Sequence, residues 1–438
     1  MAKLLEKLPI GRMGGRNALL LFDTAVTALT NVIVVIAASR SLGAGPLDSF
    51  SLAQLVLVML TQSVRTAIWS PAMAAQRKTG KARIPLGWVG LLSPSVAVTV
   101  AALMAVLIPR NGVGHIQWWA TLAVCSTALL AQDGLRSVLM SRDQTQGALI
   151  ADIAALAIIT VGLLSGRLPS TASGILLFWS LAVGAALAIG LSYLSRNREV
   201  GTLPAQSLAE TWRFGRWGAL DAAFSSFATL LPFFVATLYV ANTSAGPYRI
   251  LQTAMGPLNI IFTTILTAFS LDSWQSADRA GLRALNRKTL RLTAALGLGV
   301  LFYVMIGIPA MIYIAKVSHP DLPRIALIVA VNGILGTAIA AVNAATLALG
   351  YQRFGALIRF TVVVLTVLIS LPWTVNHVIP WRDPIGVSML TTALVTMSGW
   401  VIGYAIAYRR ELRRPARAMP ESDPIPHDCP SAPRRGLQ

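Results

Sequence analysis

The chain has 438 residues, of which 55% are hydrophobic and 12% are charged, and its mean hydropathy is +0.66. These values exclude an ordinary soluble globular protein and indicate a polytopic membrane protein. The formal net charge of +19 would suggest nucleic acid in a soluble protein, but here most bases flank apolar segments and lack base-stacking aromatic neighbours. We therefore expect membrane lipids, and no nucleic acid, as partners of the basic residues.

The first two apolar segments set a pattern that the rest of the chain repeats. Residues 17–39 contain one acid, Asp23, and residues 47–70 run back after a short turn with one base, Arg65. Each segment is long enough to cross about 30 Å of hydrocarbon. Apolar runs bounded by charge, Pro and Gly predict twelve transmembrane helices, near 17–39, 47–70, 85–108, 116–140, 147–166, 173–195, 215–240, 247–271, 289–315, 322–349, 354–378 and 385–408.

The distribution of Lys and Arg predicts the orientation of these helices. Of the 36 bases, 26 lie in the termini and the even-numbered loops, six lie in the odd-numbered loops and four lie inside predicted helices. The positive-inside rule therefore places both termini in the cytoplasm. We expect a multi-pass protein of the inner, or cytoplasmic, membrane.

Six predicted helices followed by six more suggest an internal repeat. Asp23 lies about six residues into the first helix, Asp221 lies about six residues into the seventh, and a Gly-Pro step opens the second and eighth. Parallel repeats explain this pattern, with chance matching of common membrane residues as the alternative. The expected units are a basic cytoplasmic N-terminus (1–16), a six-helix bundle (17–195), a cytoplasmic linker (196–214), a second six-helix bundle (215–408) and a disordered basic cytoplasmic tail (409–438).

Ionisable residues inside the predicted helices are the candidate functional residues, because such groups usually face a bundle interior or a water-filled cavity. Bases are candidates for binding phosphate, since the planar guanidinium can bind two of its oxygens. The candidate substrate-binding residues are Arg65, Arg136, Arg249 and Arg359. The candidate proton-binding or ion-pair residues are Asp23, Asp133, Asp152 and Asp221. All except Arg249, near the outer end of its helix, lie roughly 8–12 Å inside the predicted cytoplasmic boundary.

Two interpretations of this charged layer stay open. In the first, Asp133 pairs with Arg136 and Asp23 pairs with Arg65, and these ion pairs hold the helices in register. Arg359 would then pair with Asp221, and Arg249 would reach the outer interface. In the second, the arginines form a cationic site for a phosphate that enters from the cytoplasm, and the desolvated carboxyl of Asp23 carries a coupling proton.

Catalytic signatures are missing from the sequence. It contains no Walker Gly-rich loop and no HExxH motif, and its four histidines are dispersed over outer loops and the tail. The outer loops are too short for the large external site of a membrane glycosyltransferase. We expect no catalytic residues, no metal site and no cofactor.

Three stretches carry a resemblance to a known group of proteins. They are ASRSLGAGPLDSFSLAQLV around the first turn, TSAGPYRILQTAMGPLNIIFTTI at the eighth predicted helix and NAATLALGYQRFGALIRF after the tenth. With twelve helices and cytoplasmic termini, the span 17–408 resembles the polysaccharide flippases of the multidrug/oligosaccharidyl-lipid/polysaccharide exporter superfamily. The resemblance implies an all-α integral membrane protein, V-shaped, with two six-helix parallel repeats around a central cavity.

The resemblance also implies a function and partners. A member of that group moves polyprenyl-pyrophosphate-linked oligosaccharide across the cytoplasmic membrane by alternating access, beside a glycan polymerase or glycosyltransferases. This sequence departs from the cationic cavity of many members, because its four intramembrane aspartates offset the arginines. Two alternatives are a cation-coupled multidrug exporter of the same superfamily, with Asp23 as the proton site, and a non-transporting membrane scaffold for cell-wall enzymes.

Overall fold

A computed structural model describes residues 15–73, 84–108, 114–142, 144–196, 207–239, 245–255, 279–317, 319–348, 352–370 and 384–413. These residues form helices and no strands. The helices are α1 (Gly15–Ser41), α2 (Ala44–Val64), α3 (Leu86–Leu107), α4 (His115–Ser141), α5 (Thr145–Leu164), α6 (Ala172–Arg196), α7 (Leu208–Tyr239), α8 (Ala245–Ala254), α9 (Arg279–Ala315), α10 (Leu322–Ala348), α11 (Gln352–Ser370) and α12 (Pro384–Arg413). A π-helical turn, Arg65–Trp69, continues α2.

Most of these helices are suited to lipid. Within the described ranges, eight are long and apolar enough to cross a membrane, namely α1, α2, α3, α5, α6, α9, α10 and α12. Large apolar side chains on their outer surfaces are exposed, among them Val106, Leu181 and Phe302. Contact between such a surface and acyl chains is favourable, whereas its exposure to water would be unfavourable. The chain is therefore a multi-pass membrane protein, as the sequence predicts.

Several helices extend further than the sequence predicts. α7 begins at Leu208 and α9 begins at Arg279, each several residues before the first apolar residue of its predicted span. α12 continues to Arg413, beyond the predicted limit at 408. Charged residues mark where a span leaves hydrocarbon, but Arg, Lys, Leu and Ala also favour helix, so the helix does not stop there. Parts of the predicted units, at 1–14, 197–206, 256–278 and 414–438, lie outside the described residues.

The helix packing repeats after six helices. In the first half α1 packs on α5, α3 on α4, and both α4 and α5 on α6. In the second half α7 packs on α11, α9 on α10, and both α10 and α11 on α12. The halves meet along a seam in which α2 contacts α7 and α8, and α1 contacts α8. This correspondence supports the hypothesis of two parallel repeats, while superposition of the two halves stays a prediction.

A tryptophan fixes the helix that carries Asp133 and Arg136. Trp69, at the end of the π-helical turn, is fully buried and packs with Val89 of α3 and Val138 of α4. A Cβ added at Gly134 would lie 2.9 Å from the Trp69 ring, so only glycine fits this contact without a shift. Because Gly134 follows Asp133 directly, the packing holds the charged part of α4 against the π-helical turn.

Candidate functional site

Five charged side chains of the first half lie together inside the bundle, and we call them the first-half cluster. Arg136 of α4 pairs with Asp23 of α1, and its Nε lies 3.5 Å from Oδ2 of Asp152 on α5. Arg65 pairs with Asp133 of α4, with 2.9 Å between Nε and Oδ1. The first-half cluster thus places three carboxylates against two guanidinium groups.

The partners in this cluster differ from those that the sequence suggests. The predictions that Asp23 pairs with Arg65, and Asp133 with Arg136, are wrong, because the acids exchange partners. α1 packs mainly on α5 and only slightly on α2, so Asp23 faces the interior of the first half. The predicted hairpin of neighbouring helices is therefore not the unit that forms the ion pairs.

Polar side chains that were not predicted complete the cluster. The Thr27 hydroxyl donates a hydrogen bond of 2.8 Å to Oδ2 of Asp152, and the Gln132 amide donates to Oδ1 of the same carboxylate. Asp23 is fully buried, and within the described residues its Oδ1 accepts no hydrogen bond. Thr27 lies four residues after Asp23 and Gln132 lies four residues before Arg136, so helical spacing could have identified both.

A small cavity opens beside the first-half cluster. It has a volume of about 70 Å³ and is lined by Thr27, Thr30, Asn31, Val58, Thr61, Gln62, Arg65, Leu129, Gln132, Asp133, Asp152, Ala155, Trp179 and Val183. This volume suits one cation or a few water molecules and is too small for an organic substrate. The oxygen-rich lining and the surplus carboxylate make it a candidate site for a proton or a small cation.

The second half contains an ion pair of its own. Arg359 of α11 lies with its Nε 2.6 Å from Oδ1 of Asp221 on α7, which is the pairing that one of the sequence interpretations expects. The same guanidinium donates to the Ser225 hydroxyl, and its carbon lies 5.7 Å from the centre of the Trp400 ring. Sequence reasoning missed Ser225 and Trp400, although Ser225 lies four residues after Asp221. This guanidinium is thus held on three sides.

A larger cavity lies beside that pair. It has a volume of about 390 Å³ and is lined by Ser225, Ala228, Thr229, Gln252, Asn332, Gly336, Ile339, Arg359, Val362, Met389, Thr392, Ala393 and Thr396. Hydroxyl and amide groups and one guanidinium provide the polar part of this lining. Aromatic and acidic side chains are absent from it among the residues that the structure describes.

The two halves place opposite charges at corresponding positions. Asp152 is the eighth residue of α5 and Arg359 is the eighth residue of α11. Thr27 contacts Asp152 in the first half, and Ser225 contacts Arg359 in the second. The first half therefore carries an acid at the position where the second half carries an arginine.

Arg249 lies in the seam, apart from the first-half cluster and from the ion pair of the second half. Its Nε donates a hydrogen bond of 2.7 Å to Oε1 of Gln54 on α2, and Gln54 is fully buried. In the described parts of the chain, no carboxylate lies within ion-pair distance of Arg249. The contact with Gln54 accounts for its position, so Arg249 joins the halves and does not simply reach out to the interface.

The fold is similar to that of known transporters. An inward-facing multidrug resistance MATE family transporter of the MOP superfamily matches with a TM-score of 0.63 and 13% identity, over 88% of this chain and 94% of the other. An outward-facing structure of such a transporter matches with a TM-score of 0.62 and 13% identity, over 92% and 97%. This chain has the twelve-helix MATE fold.

A third solved structure shares this fold. It is a MOP superfamily transporter from Pyrococcus furiosus, whose description says that reverse polarity of the binding pocket suggests a different function. It matches with a TM-score of 0.61 and 14% identity, over 90% of this chain and 94% of the other. No protein-family model and no curated protein match the sequence. At these identities the likeness defines the fold alone.

Proposed function

We propose that this chain is a secondary transporter that moves a polyprenyl-pyrophosphate-linked oligosaccharide across the cytoplasmic membrane by alternating access. The fold supports the transport part of the proposal, since similar MATE transporters have been solved in inward-facing and outward-facing conformations. The repeated packing of six and six helices gives two units that can move about the seam. Both termini lie in the cytoplasm in this proposal, as the Lys and Arg distribution predicts.

The lining of the larger cavity is the observation that favours a glycan. Ser225, Thr229, Gln252, Asn332 and Thr392 offer hydroxyl and amide groups, which can donate to and accept from sugar hydroxyls. Arg359 adds a cation for a phosphate or an acidic sugar. A site for hydrophobic cations would instead be expected to contain aromatic faces or a carboxylate.

The first-half cluster supplies a driving force in this proposal. Among the residues that the structure describes, three carboxylates against two guanidiniums leave one negative charge in the bundle interior without a counter-ion. A buried carboxylate that lacks a counter-ion is stabilised by a proton or a small cation. Uptake of that cation can be coupled to movement of the two halves, and Asp23 and Asp152 are the residues that would bind it.

A multidrug exporter is the second candidate. The surplus carboxylate of the first-half cluster favours it, because a cation-coupled exporter also needs such an acid. The neighbours of known fold described as multidrug resistance transporters point the same way. The two candidates share the coupling site and differ in the substrate that the larger cavity binds.

A reconstitution experiment separates the two candidates. The purified protein in proteoliposomes should flip a fluorescent polyprenyl-pyrophosphate-linked oligosaccharide. It should not export a lipophilic cationic dye faster than the dye crosses empty vesicles. Arg359→Gln should slow flipping by about tenfold or more, and Arg359→Lys should restore little, because ammonium cannot bind two phosphate oxygens side by side. The control is the variant Arg167→Gln, at an exposed position in the turn between α5 and α6. Dye export without glycolipid flipping would contradict the proposed substrate.

A further inference from the structure

We infer that the basic ends of α9 and α12 form a binding surface for the headgroups of anionic phospholipids in the adjoining membrane leaflet. Seven exposed bases make up this basic surface, and they are Arg283, Arg287, Lys288, Arg291, Arg409, Arg410 and Arg413. The segments 279–291 and 404–413 that carry them contain a single acid, Glu411. Within the described residues, none of the seven bases is in an ion pair with a carboxylate.

Helix length places the basic surface at the membrane boundary. α9 has 37 residues and is therefore about 55 Å long, whereas the hydrocarbon layer is about 30 Å thick. The apolar part of α9 follows Arg291 and continues to Ala315. The first three to four turns of α9 must then lie in the headgroup layer and the water next to it.

The direction of the side chains on α9 points to lipid. At 100° per residue, Arg283, Arg287 and Arg291 lie within about 80° of one another, opposite the buried side chains of Leu285 and Thr289. The same face continues into Leu298, Leu301 and Met305, which are exposed apolar residues. A helix face whose apolar part contacts acyl chains directs its basic part at the headgroups of the same leaflet.

α12 repeats this arrangement beside α9. Arg409 and Arg413 lie on the helix face that carries the exposed residues Ile402 and Ile406. The two helices are joined at this level, since the Tyr404 hydroxyl donates a hydrogen bond of 3.4 Å to Oδ1 of Asn286. The bases of both helices therefore lie at the same membrane boundary, on helix faces other than the one that makes this contact, and four or more bases next to a span are typical of anionic-lipid binding.

Lipid competition measured by native mass spectrometry tests this inference. The full-length protein in an equimolar mixture of phosphatidylglycerol and phosphatidylcholine should retain phosphatidylglycerol preferentially at low ammonium acetate concentration and lose that preference at about 500 mM ammonium acetate, where the charges are screened. The triple variant R283Q/R287Q/R291Q should lose the preference by about fivefold per neutralised base. The variant R283K/R287K/R291K should keep most of it, because the binding needs positive charge at the surface.

The control removes the same number of charges elsewhere. R167Q/R196Q/K316Q neutralises three exposed bases that lie outside the basic surface and should bind phosphatidylglycerol as the wild type does. A wild type without preference for phosphatidylglycerol would overturn the inference whether or not the variants fold. Equal loss in the control, full retention in R283Q/R287Q/R291Q, or displacement by millimolar inorganic phosphate would also overturn it.

Discussion

At the scale of single residues, the pair of Arg65 and Asp133 shows how the charged groups of the first half stabilise one another. The Arg65 side chain is 25% exposed and that of Asp133 is 3% exposed, so the carboxylate depends on the guanidinium for its stabilisation. Removal of one member of such a pair leaves a charge buried alone, which costs about 3–5 kcal/mol. Removal of both members costs less, because no charge then lacks a counter-ion.

The expected result is a strong coupling between Arg65→Gln and Asp133→Asn in thermal unfolding of the purified protein. The double variant should be less destabilised than the sum of the single variants, by about 1–3 kcal/mol. The matched comparison pairs Arg65→Gln with Asp23→Asn, and these two changes should couple less than Arg65→Gln and Asp133→Asn do, because Asp23 binds Arg136. Coupling of Arg65 with Asp23 instead of Asp133 would restore the pairing that the sequence suggests and contradict the structure.

Apolar runs identify the charged residues of the first-half cluster but do not assign their partners. Their depth follows from the position of each residue in its apolar run, and depth alone was enough to group Asp23, Arg65 and Arg136 in one layer. The partner of each residue depends on which helices are neighbours in space, and apolar periodicity does not encode helix order. Thr27 and Gln132 were missed because threonine and glutamine are common in membrane helices.

The seam between the halves is the most informative feature at the scale of helices. At the end that carries the α1–α2 turn, side chains of one half cap helix termini of the other. Oδ1 of Asp48 accepts a hydrogen bond of 2.5 Å from the Gly246 amide at the start of α8. Ser39 and Arg40 donate to the last carbonyl groups of α9, at 3.1 Å and 2.9 Å. These contacts use the partial charges of helix ends, which favour an acid at the start and a base at the end.

We expect Asp48→Ala to weaken closure of the seam at this end. The loss of an acid and of a cap at a helix start costs about 1 kcal/mol, so an open conformation should become about fivefold more populated. The rate of maleimide labelling of Ser51→Cys, a buried position on α2, in a Cys429→Ser background measures this population. Asp321→Ala removes an exposed acid near the same end and should leave the rate unchanged. Equal labelling with and without Asp48 would exclude a role of this cap in closure.

Helix positions were predictable because apolar length is set by the membrane, and helix ends were not. The predicted spans 17–39 and 322–349 agree closely with α1 and α10. The predicted spans do not include the basic starts of α7 and α9, since a charged residue ends a hydrophobic run without ending the helix. The π-helical turn Arg65–Trp69 cannot be predicted from a sequence pattern. Its backbone hydrogen bonds, which span five residues instead of four, depend on how the turn packs against α7 and α4.

Orientation in the membrane is the main open prediction at the scale of the whole molecule. Cys125 is buried and Cys429 lies in the C-terminal tail, so the chain carries its own reporter for the side of that tail. A membrane-impermeant maleimide should label Cys429 in broken cells and leave it unlabelled in intact cells. A cysteine placed at 110–115 in a Cys429→Ser background should react from outside. Labelling of Cys429 in intact cells would contradict the orientation that the basic residues predict.

Movement of the halves against each other during transport can be tested at a single contact in the seam. The hydroxyl oxygens of Ser63 on α2 and Ser226 on α7 lie 3.1 Å apart, so cysteines at both positions are close enough for a disulfide. In proteoliposomes that contain fluorescent polyprenyl-pyrophosphate-linked oligosaccharide, S63C/S226C in a Cys429→Ser background should flip the lipid when reduced. It should stop when oxidised and recover with dithiothreitol, while the single-cysteine variants should flip under both conditions. Undiminished flipping by fully cross-linked protein, or no flipping by the reduced protein, would contradict transport of this lipid by alternating access.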